Sequence, residues 1–171
     1  VSAPQISPEG SHIIFGVGRV ERKTEKKFNN LWLVPTDGSQ PPRQFTYGDH
    51  TDSHPRWSPD GRSIAFLSNR KDEKQFQIYN IPLNGGEARP VSKMEGSFAG
   101  FTWSPDGRTF ATQFRKKDAA VLEREKDEQK KKLGVVSRHI TSLNYKADGG
   151  GYVPEEKWHI WTIDASSGKA S

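Results

Sequence analysis

The chain lacks the sequence signature of a strained catalytic serine. Such a nucleophile requires Gly-x-Ser-x-Gly, because small flanking residues let the serine sit exposed on a sharp turn. The 171 residues contain no such pentapeptide, and the nearest match, Gly96-Ser97-Phe98-Ala99-Gly100, has its serine in the second position. We interpret that stretch as a connection just before a strand. We therefore expect no catalytic residues within these 171 positions.

Five histidines suggest a metal site, and two of them are spaced for one. His50 and His54 stand four residues apart, and His-x-x-x-His binds zinc when a helix brings both rings to one face. No general-base Glu follows His50. Gly48, Asp49 and Pro55 favour a loop in this stretch. We expect a polar connection here, with no metal and no cofactor. His159 lies in an alternating apolar stretch, where a strand histidine is the simpler interpretation.

A charged segment accounts for much of the net charge of +5. Residues 115–132 hold eight basic and five acidic side chains and no aromatic residue. Nucleic-acid surfaces carry basic patches of one sign with interleaved aromatics. The pairs Asp127/Lys131 and Glu128/Lys132 have helical i,i+4 spacing with the acid first, which is the favourable order. The segment therefore predicts a solvated helix and no nucleic-acid partner.

The composition indicates a globular chain rich in turns. Eighteen residues are aromatic (9 Phe, 5 Trp and 4 Tyr), and the chain has no Cys. Aromatic content of this kind argues against disorder. No run of 18 apolar residues is present, so we expect no membrane span. The first residue is Val, with no signal-peptide pattern after it. We expect a piece of a longer protein, located in the cytoplasm.

An internal repeat gives the strongest structural signal in the sequence. Its turn serines, Ser7, Ser58 and Ser104, are 51 and 46 residues apart. The three copies are Ile6-Ser7-Pro8-Glu9-Gly10-Ser11-His12-Ile13-Ile14-Phe15, Trp57-Ser58-Pro59-Asp60-Gly61-Arg62-Ser63-Ile64-Ala65-Phe66, and Trp103-Ser104-Pro105-Asp106-Gly107-Arg108-Thr109-Phe110-Ala111-Thr112. Pro presets φ at the second turn position and Gly accepts a positive φ at the fourth. Each copy thus predicts two antiparallel strands joined by a tight turn.

Further apolar stretches complete each unit. A third strand is predicted around Leu31–Val34, Gln77–Ile81 and His159–Asp164, and short fourth strands around Arg43–Thr46 and Ala88–Ser92. Four strands every 40–50 residues is the period of a β-propeller blade. The position before the turn holds an aliphatic residue in the first copy, Ile6, and an aromatic one in the others, Trp57 and Trp103. Large apolar side chains at a repeated position predict packing between blades.

The predicted fold is an all-β partial propeller of about three four-stranded blades. Their expected bounds are about 1–50, 51–96 and 97–171, with an insertion of about 32–36 residues near 115–150 in the third blade. Besides the charged helix, the insertion predicts a hairpin from Ser137–Tyr145 through Asp148–Gly151 into Tyr152–Val153. Insertions in repeat proteins become loops on one face, often the working face. Three blades do not close a ring, so a partner, self-association or a longer chain is expected.

The repeats resemble the propeller repeats of TolB-type proteins and of prolyl oligopeptidase family serine peptidases. Details that favour an acylaminoacyl-peptidase-like peptidase are Leu31-Trp32-Leu33-Val34-Pro35-x-Asp37-Gly38, Pro55-Arg56-Trp57-Ser58-Pro59-Asp60-Gly61-Arg62-Ser63-Ile64-Ala65-Phe66-Leu67-Ser68, and Tyr145-Lys146-x-Asp148-Gly149 leading to His159-Ile160-Trp161. The resemblance implies an N-terminal propeller of seven or eight blades that covers a C-terminal α/β-hydrolase domain with Ser, Asp and His. In that family the propeller admits short or unfolded peptides and excludes folded proteins.

The resemblance also draws attention to Glu155-Glu156. Dipeptidyl peptidases of the same family present a Glu-Glu pair that binds the free amino terminus of a substrate. Here the surrounding sequence differs from that motif, and acidic residues after Pro154 are ordinary in a loop or first helical turn. We therefore interpret the pair as loop residues and assign no binding residue.

Two functions from different classes remain open on the sequence alone. The favoured one is a substrate gate and docking surface for a catalytic α/β-hydrolase domain that acts on short or acylated peptides. The expected partners are that domain, the peptide substrate and a possible second copy, with no membrane. The alternative is a non-enzymatic TolB-like propeller that binds protein partners on its loop face.

Overall fold

Three antiparallel sheets organise the chain. The computed structural model describes residues 1–133, 140, 143–148 and 151–171. The first sheet consists of β1 (Ser2–Ile6), β2 (His12–Val20), β3 (Lys27–Pro35) and β4 (Arg43–Gln44). The second consists of β5 (Asp52–Trp57), β6 (Ser63–Ser68), β7 (Gln77–Pro82) and β8 (Arg89–Pro90). The third consists of β9 (Gly96–Trp103), β10 (Thr109–Lys116) and β13 (His159–Asp164), paired in the order β13-β10-β9.

The sheets are arranged as propeller blades. In the first two sheets the strands pair in chain order, and the first strand of each sheet lies against the first strand of the next, β1 on β5 and β5 on β9. The predicted all-β partial propeller is confirmed. The sheets of the described residues form an open fan and not a closed ring.

The repeated turns have the hydrogen bonds that their residue types predict. In each turn the glycine N–H donates to the serine carbonyl oxygen at 2.9 Å, and the glycine has φ between 69° and 76°. The serine hydroxyl accepts the backbone N–H of the residue that opens the next strand, at 2.9–3.0 Å. In the second and third turns that hydroxyl also donates to the turn aspartate at 2.6 Å.

These bonds favour the ionised turn carboxylates. The Ser58 hydroxyl, followed by the Arg62 backbone N–H, lowers the pKa of Asp60. Ser104 and the Arg108 N–H do the same for the pKa of Asp106. Because the folded-state pKa is lowered, the contribution to stability is present at neutral pH and is lost as the pH falls through that pKa.

Two apolar clusters hold neighbouring sheets together. The first lies between the first and second sheets and comprises Ile14, Leu31, Leu33, Phe45, Trp57, Ile64, Phe66, Tyr79 and Ile81. The second lies between the second and third sheets and comprises Ala65, Leu67, Ile78, Phe101, Phe110 and Ile163. Each large side chain buried here contributes about 1.5–3 kcal/mol relative to exposure. The expected packing role of Trp57 is confirmed, whereas Ile6 at the same repeat position is 63% exposed.

The insertion contains two short helices and a hairpin. The helices are α1 (Ala119–Lys126) and α2 (Glu128–Lys132), and the hairpin pairs β11 (Lys146–Ala147) with β12 (Gly151–Tyr152). The predicted helical character is confirmed, but Asp127 divides the segment. Its side chain accepts the N–H groups of Gln129 and Lys130 and so caps α2. Most of the predicted strand 137–145 lies outside the described residues.

Three details of the sequence interpretation were wrong. His54 and Pro55 lie in β5 and not in a loop. The register shifts between Ser53 and Arg56, and in this bulge His54 adopts a positive φ and Pro55 needs no N–H for strand pairing. The stretch 96–100 is part of β9 and not a connection, since it pairs with the end of β10 across a register shift. Among the described residues the third sheet has three strands, with only Ala170 bridging to Ile163 beyond them.

Gly168 and Gly38 give a matched test of the packing between sheets. Both have φ near 70°, so alanine at either position costs about 1 kcal/mol in backbone strain. A Cβ at Gly38 would meet no atom within 4 Å, whereas at Gly168 it would overlap the Val91 carbonyl oxygen of the second sheet. We expect Gly168→Ala to reduce the free energy of unfolding by about 1–3 kcal/mol more than Gly38→Ala. Urea unfolding measures the difference, and equal losses would contradict this packing.

Candidate functional site at the insertion face

Both ends of the sheets carry short connections, and one end also carries the long insertion. The tight turns 7–11, 58–62 and 104–108 share one end, which we call the turn face. The loops between the second and third strands lie at the opposite end, because antiparallel strands return there. This insertion face carries loops 21–26 and 69–76 and the segment 117–158.

Asp118 fastens the far end of the insertion to its beginning. Its carboxylate accepts the backbone N–H groups of Glu155 at 3.2 Å and Glu156 at 2.9 Å. Asp118 directly precedes α1 but makes no side-chain cap to that helix. Hydrogen bonds to an ionised acceptor are stronger than neutral ones. The two ends of a segment of about 40 residues are therefore held together at the sheet.

Cation–aromatic contacts support the same base. The Arg115 guanidinium lies 4.7 Å from the Trp158 ring centre, and Lys116 Nζ lies 4.9 Å from that of Trp161. Such contacts contribute about 0.5–1 kcal/mol at exposed sites. Lys117 also forms an ion pair with Glu125 of α1 at 2.6 Å. These contacts connect the end of β10 to α1 and to the start of β13.

The Glu155 and Glu156 side chains stay at the surface of this base. Glu155 is exposed and Glu156 is half-buried, and both lie in the connection before β13. The position in a loop agrees with the sequence interpretation. Their backbone N–H groups are occupied by Asp118.

The helices form different ion pairs from those predicted. Lys130 pairs with Glu123 at 2.7 Å, and Lys131 pairs with Glu128 at 3.3 Å with i,i+3 spacing. The predicted Asp127/Lys131 and Glu128/Lys132 pairs are wrong, because Asp127 instead caps the start of α2. The break also brings α2 back towards α1, so that Lys130 reaches across to Glu123.

An ion pair of the second sheet, with a fully buried carboxylate, lies at the insertion face. Asp52 is 0% exposed, and its two carboxylate oxygens accept Arg70 Nη2 at 3.0 and 3.1 Å. Arg70 Nε also donates to Ser68, at 3.1 Å. The Arg70 guanidinium lies 5.1 Å from the ring centre of Phe66 and 4.9 Å from that of Tyr79. Burial raises the pKa of the Tyr79 phenol, while Arg70 opposes that shift.

The histidines near this pair do not form a metal site. His50 Nε2 lies 3.3 Å from Asp52 Oδ2, close enough for an ion pair when protonated but not aligned for a hydrogen bond. Burial, and then the nearby Arg56, lowers the pKa of His54, which favours its neutral form. Among the residues that the structure describes, no three His, Asp or Glu side chains are grouped to hold a metal ion.

One serine–histidine contact resembles part of a triad but has the wrong order. Ser11 Oγ lies 2.7 Å from His12 Nδ1 and donates to Glu9 at 2.8 Å. In a triad the histidine lies between the serine and the acid, so that it can take the serine proton. Here the acid already receives that proton. The contact therefore braces the turn and does not activate a nucleophile.

Sequence reasoning missed Asp118 and the Asp52–Arg70 pair. The partners are 37–38 and 18 residues apart, and no motif surrounds them.

A family comparison adds to this geometry. Residues 1–165 match the model described as the TolB beta propeller domain.

The chain belongs to the TolB β-propeller domain family.

Longer proteins with this propeller include peptidases and TolB itself. "Uncharacterized peptidase YuxL" of Bacillus subtilis (strain 168) is 31% identical over 172 residues, covering 99% of this chain and 25% of that protein. The structure titled "Acylaminoacyl peptidase in complex with Z-Gly-Gly-Phe-chloromethyl ketone" has a TM-score of 0.68 at 22% identity, covering 98% of this chain and 24% of that one. TolB from Acinetobacter baumannii has a TM-score of 0.62 at 18% identity, covering 99% and 31%. The chain thus spans about a quarter to a third of these proteins.

Neither described helix of this TolB-type propeller chain is long and apolar enough to cross a membrane.

Asp52→Asn tests the buried pair of the propeller against an exposed one. Removing the buried carboxylate leaves Arg70 without its charge partner, but Arg70 is 22% exposed and water compensates in part, so the cost is about 1–3 kcal/mol. We expect a loss of about that size in the free energy of unfolding, measured in urea. Glu73→Gln is the control, since the Lys26–Glu73 ion pair lies at the same insertion face but is 52% and 74% exposed and should leave the unfolding midpoint unchanged. Equal effects would contradict the proposed importance of Asp52.

Proposed function

We propose that the chain is the N-terminal propeller portion of a serine oligopeptidase of the acylaminoacyl-peptidase type. The intact enzyme hydrolyses short or acylated peptides, with its catalytic serine, acid and histidine on a C-terminal α/β-hydrolase domain. The observation that carries the proposal is the match to YuxL, which runs through 99% of the chain and includes the long third unit. The repeats by themselves suit any TolB-type propeller and do not select a peptidase.

The contacts of the described residues agree with separate roles, with catalysis on another domain and substrate selection on this chain. The Ser11–His12–Glu9 contact is ordered against catalysis, and a second serine–histidine contact among the described residues, Ser53–His54, is long at 3.4 Å. A propeller without its own nucleophile acts on substrate by controlling access. The proposal therefore assigns the reaction to the partner domain and the selection of substrates by size to this chain.

In this proposal the insertion face turns toward the catalytic domain. It carries the longest connection of the described chain, and Asp118, Arg115 and Lys116 hold the base of that connection against the third sheet. The proposal assigns the narrowing of the entrance to the helices α1 and α2 above this fixed base. The turn face carries the repeated tight turns and the short connections 36–42 and 83–88, and the proposal gives these a structural role.

The proposal keeps the blade bounds expected from the sequence, near residues 50 and 96, and a cytoplasmic enzyme. A second copy of the enzyme as a partner also remains part of it.

The alternative function is a non-enzymatic TolB-like propeller that binds protein partners on its loop face. It is favoured by the TolB structure from Acinetobacter baumannii, whose fold covers 99% of this chain. The two functions differ in the domain that the propeller accompanies. A peptidase needs a Gly-x-Ser-x-Gly elbow after further blades, whereas a binding propeller needs none.

The first test is covalent labelling of the intact protein with a fluorophosphonate, which reacts with activated serines. We expect one labelled serine outside residues 1–171, together with hydrolysis of short acylated peptide anilides. Replacing that serine by alanine is the control and should abolish both signals. An intact protein without a Gly-x-Ser-x-Gly elbow, label or peptide hydrolysis would exclude the peptidase and leave the TolB-like function.

The second test concerns the gate and uses Asp118→Ala in the intact enzyme. Releasing the Glu155 and Glu156 amides should loosen the entrance, so that kcat/KM for an unfolded protein rises about tenfold relative to a short peptide. Asp72→Ala is the matched control, since Asp72 likewise accepts a backbone N–H, that of Lys74, within a surface loop. An unchanged ratio in both variants would exclude the insertion as the gate.

A further inference from the structure

The connection between β7 and β8 contains an Asn-Gly pair in an open turn. Asn84 is exposed, and Gly85 and Gly86 after it have φ values of 98° and 113°. A Cβ at either glycine would meet no atom within 4 Å. Among the residues that the structure describes, the Asn84 side chain makes no hydrogen bond. Its amide is therefore able to change position relative to the backbone that follows it.

An asparagine before a glycine can be attacked by its own backbone. The Gly85 nitrogen, after losing its proton, bonds to Cγ of Asn84, the Cγ–Nδ2 bond breaks, and ammonia leaves from a cyclic succinimide. Water then opens the ring at either carbonyl carbon, which gives isoaspartate or aspartate. The net reaction consumes water and releases ammonia, with no oxidant or reductant. Glycine favours the attack, because it has no Cβ beside the nitrogen and tolerates the backbone change.

The Asp-Gly pairs of the described chain are held in a form that resists the same reaction. Asp60 and Asp106 each accept a serine hydroxyl at 2.6 Å and a backbone N–H at 3.0 Å. Asp37 accepts the N–H of Ser39 at 2.9 Å. These bonds lower the pKa of all three carboxyl groups and so favour the ionised form. An ionised carboxylate is a poor electrophile, whereas the amide of Asn84 is neutral and unrestrained.

Little structure keeps the turn closed. The Gly85 N–H donates to the Pro82 carbonyl oxygen at 3.1 Å, and this bond must open before the nitrogen can attack. The strand that follows, β8, has only two residues, and both are exposed. Segments with few buried contacts open locally at a small free-energy cost. The attack therefore does not require the whole chain to unfold.

We propose that Asn84 is a self-modification site that converts to isoaspartate in the folded protein. The product carries a carboxylate where the amide stood, so the turn face gains a negative charge. It also has an additional carbon in the main chain before Gly85. Leu83 and Ala88, which flank the turn, pack against the apolar cluster between the first and second sheets. The lengthened connection therefore loosens β8 and shifts these two side chains.

Ageing the intact folded protein in heavy-oxygen water at neutral pH tests the proposal. Peptide mass spectrometry after digestion at acidic pH reads each asparagine, and the heavy oxygen marks conversion that took place during ageing. We expect isoaspartate at residue 84 to form at least about tenfold faster than Asn69 is deamidated. The Asn69 amide is held by bonds to the Thr51 N–H at 2.7 Å and the Glu73 carbonyl oxygen at 3.0 Å. Equal rates at the two residues would overturn the proposal.

Two controls test whether the folded turn permits the reaction. Asn84→Gln keeps a neutral amide but places it one carbon farther from the backbone, so conversion at residue 84 should disappear. The same protein unfolded in guanidinium chloride gives the rate without the turn, and we expect the folded protein to react within about tenfold of that rate. A folded protein that keeps its Asn84 amide while the unfolded chain converts would overturn the proposal. Aspartate without isoaspartate would also overturn it, because that product indicates direct hydrolysis.

The result does not depend on the proposed function. Conversion at residue 84 is measured as a change in mass, and it would leave this inference standing in a protein that proves to have no peptidase activity.

Discussion

The need to bury both faces of each sheet governs this structure. A four-stranded antiparallel sheet with apolar side chains on both sides cannot be satisfied by water on either side. In the second sheet, Phe66 and Tyr79 point into one cluster while Ala65 and Ile78 point into the other. Each sheet is thus stabilised by its neighbours, and between successive sheets Trp57 Nε1 donates to the Gln5 carbonyl oxygen and Trp103 Nε1 to that of Arg56.

The two ends of the sheets use this scaffold differently. At the turn face, serine, aspartate and glycine satisfy one another within five residues, so the turns are short and alike. At the insertion face the connections vary in length, and polar groups from different sheets meet there. The Arg70 guanidinium pairs with the fully buried Asp52 carboxylate, while Asp118 holds together the two ends of an insertion of about 40 residues.

The repeat and the elements that it generates could be predicted from the sequence. Pro8, Pro59 and Pro105 preset the turn, the glycines after them accept positive φ, and alternation of apolar residues places the strands. Each of these signals operates within about ten residues. The candidate site could not be found in this way. Asp118 is an ordinary aspartate before a helix until the chain returns at Glu155 and Glu156, and Asp52 belongs to a predicted loop until Arg70 of the next strand connection reaches it.

The sequence alone therefore determined the fold class, the period of the blades, the helical insertion and the lack of a nucleophile elbow. Only the tertiary structure decided which ion pairs form, where the bulge at His54 and Pro55 lets a proline enter a strand, and which side of the third sheet stays open. The physical reason is range: turn and strand preferences depend on adjacent residues. A buried charge pair, a bulge or an exposed Ile160 depends on which distant segments come to lie beside it.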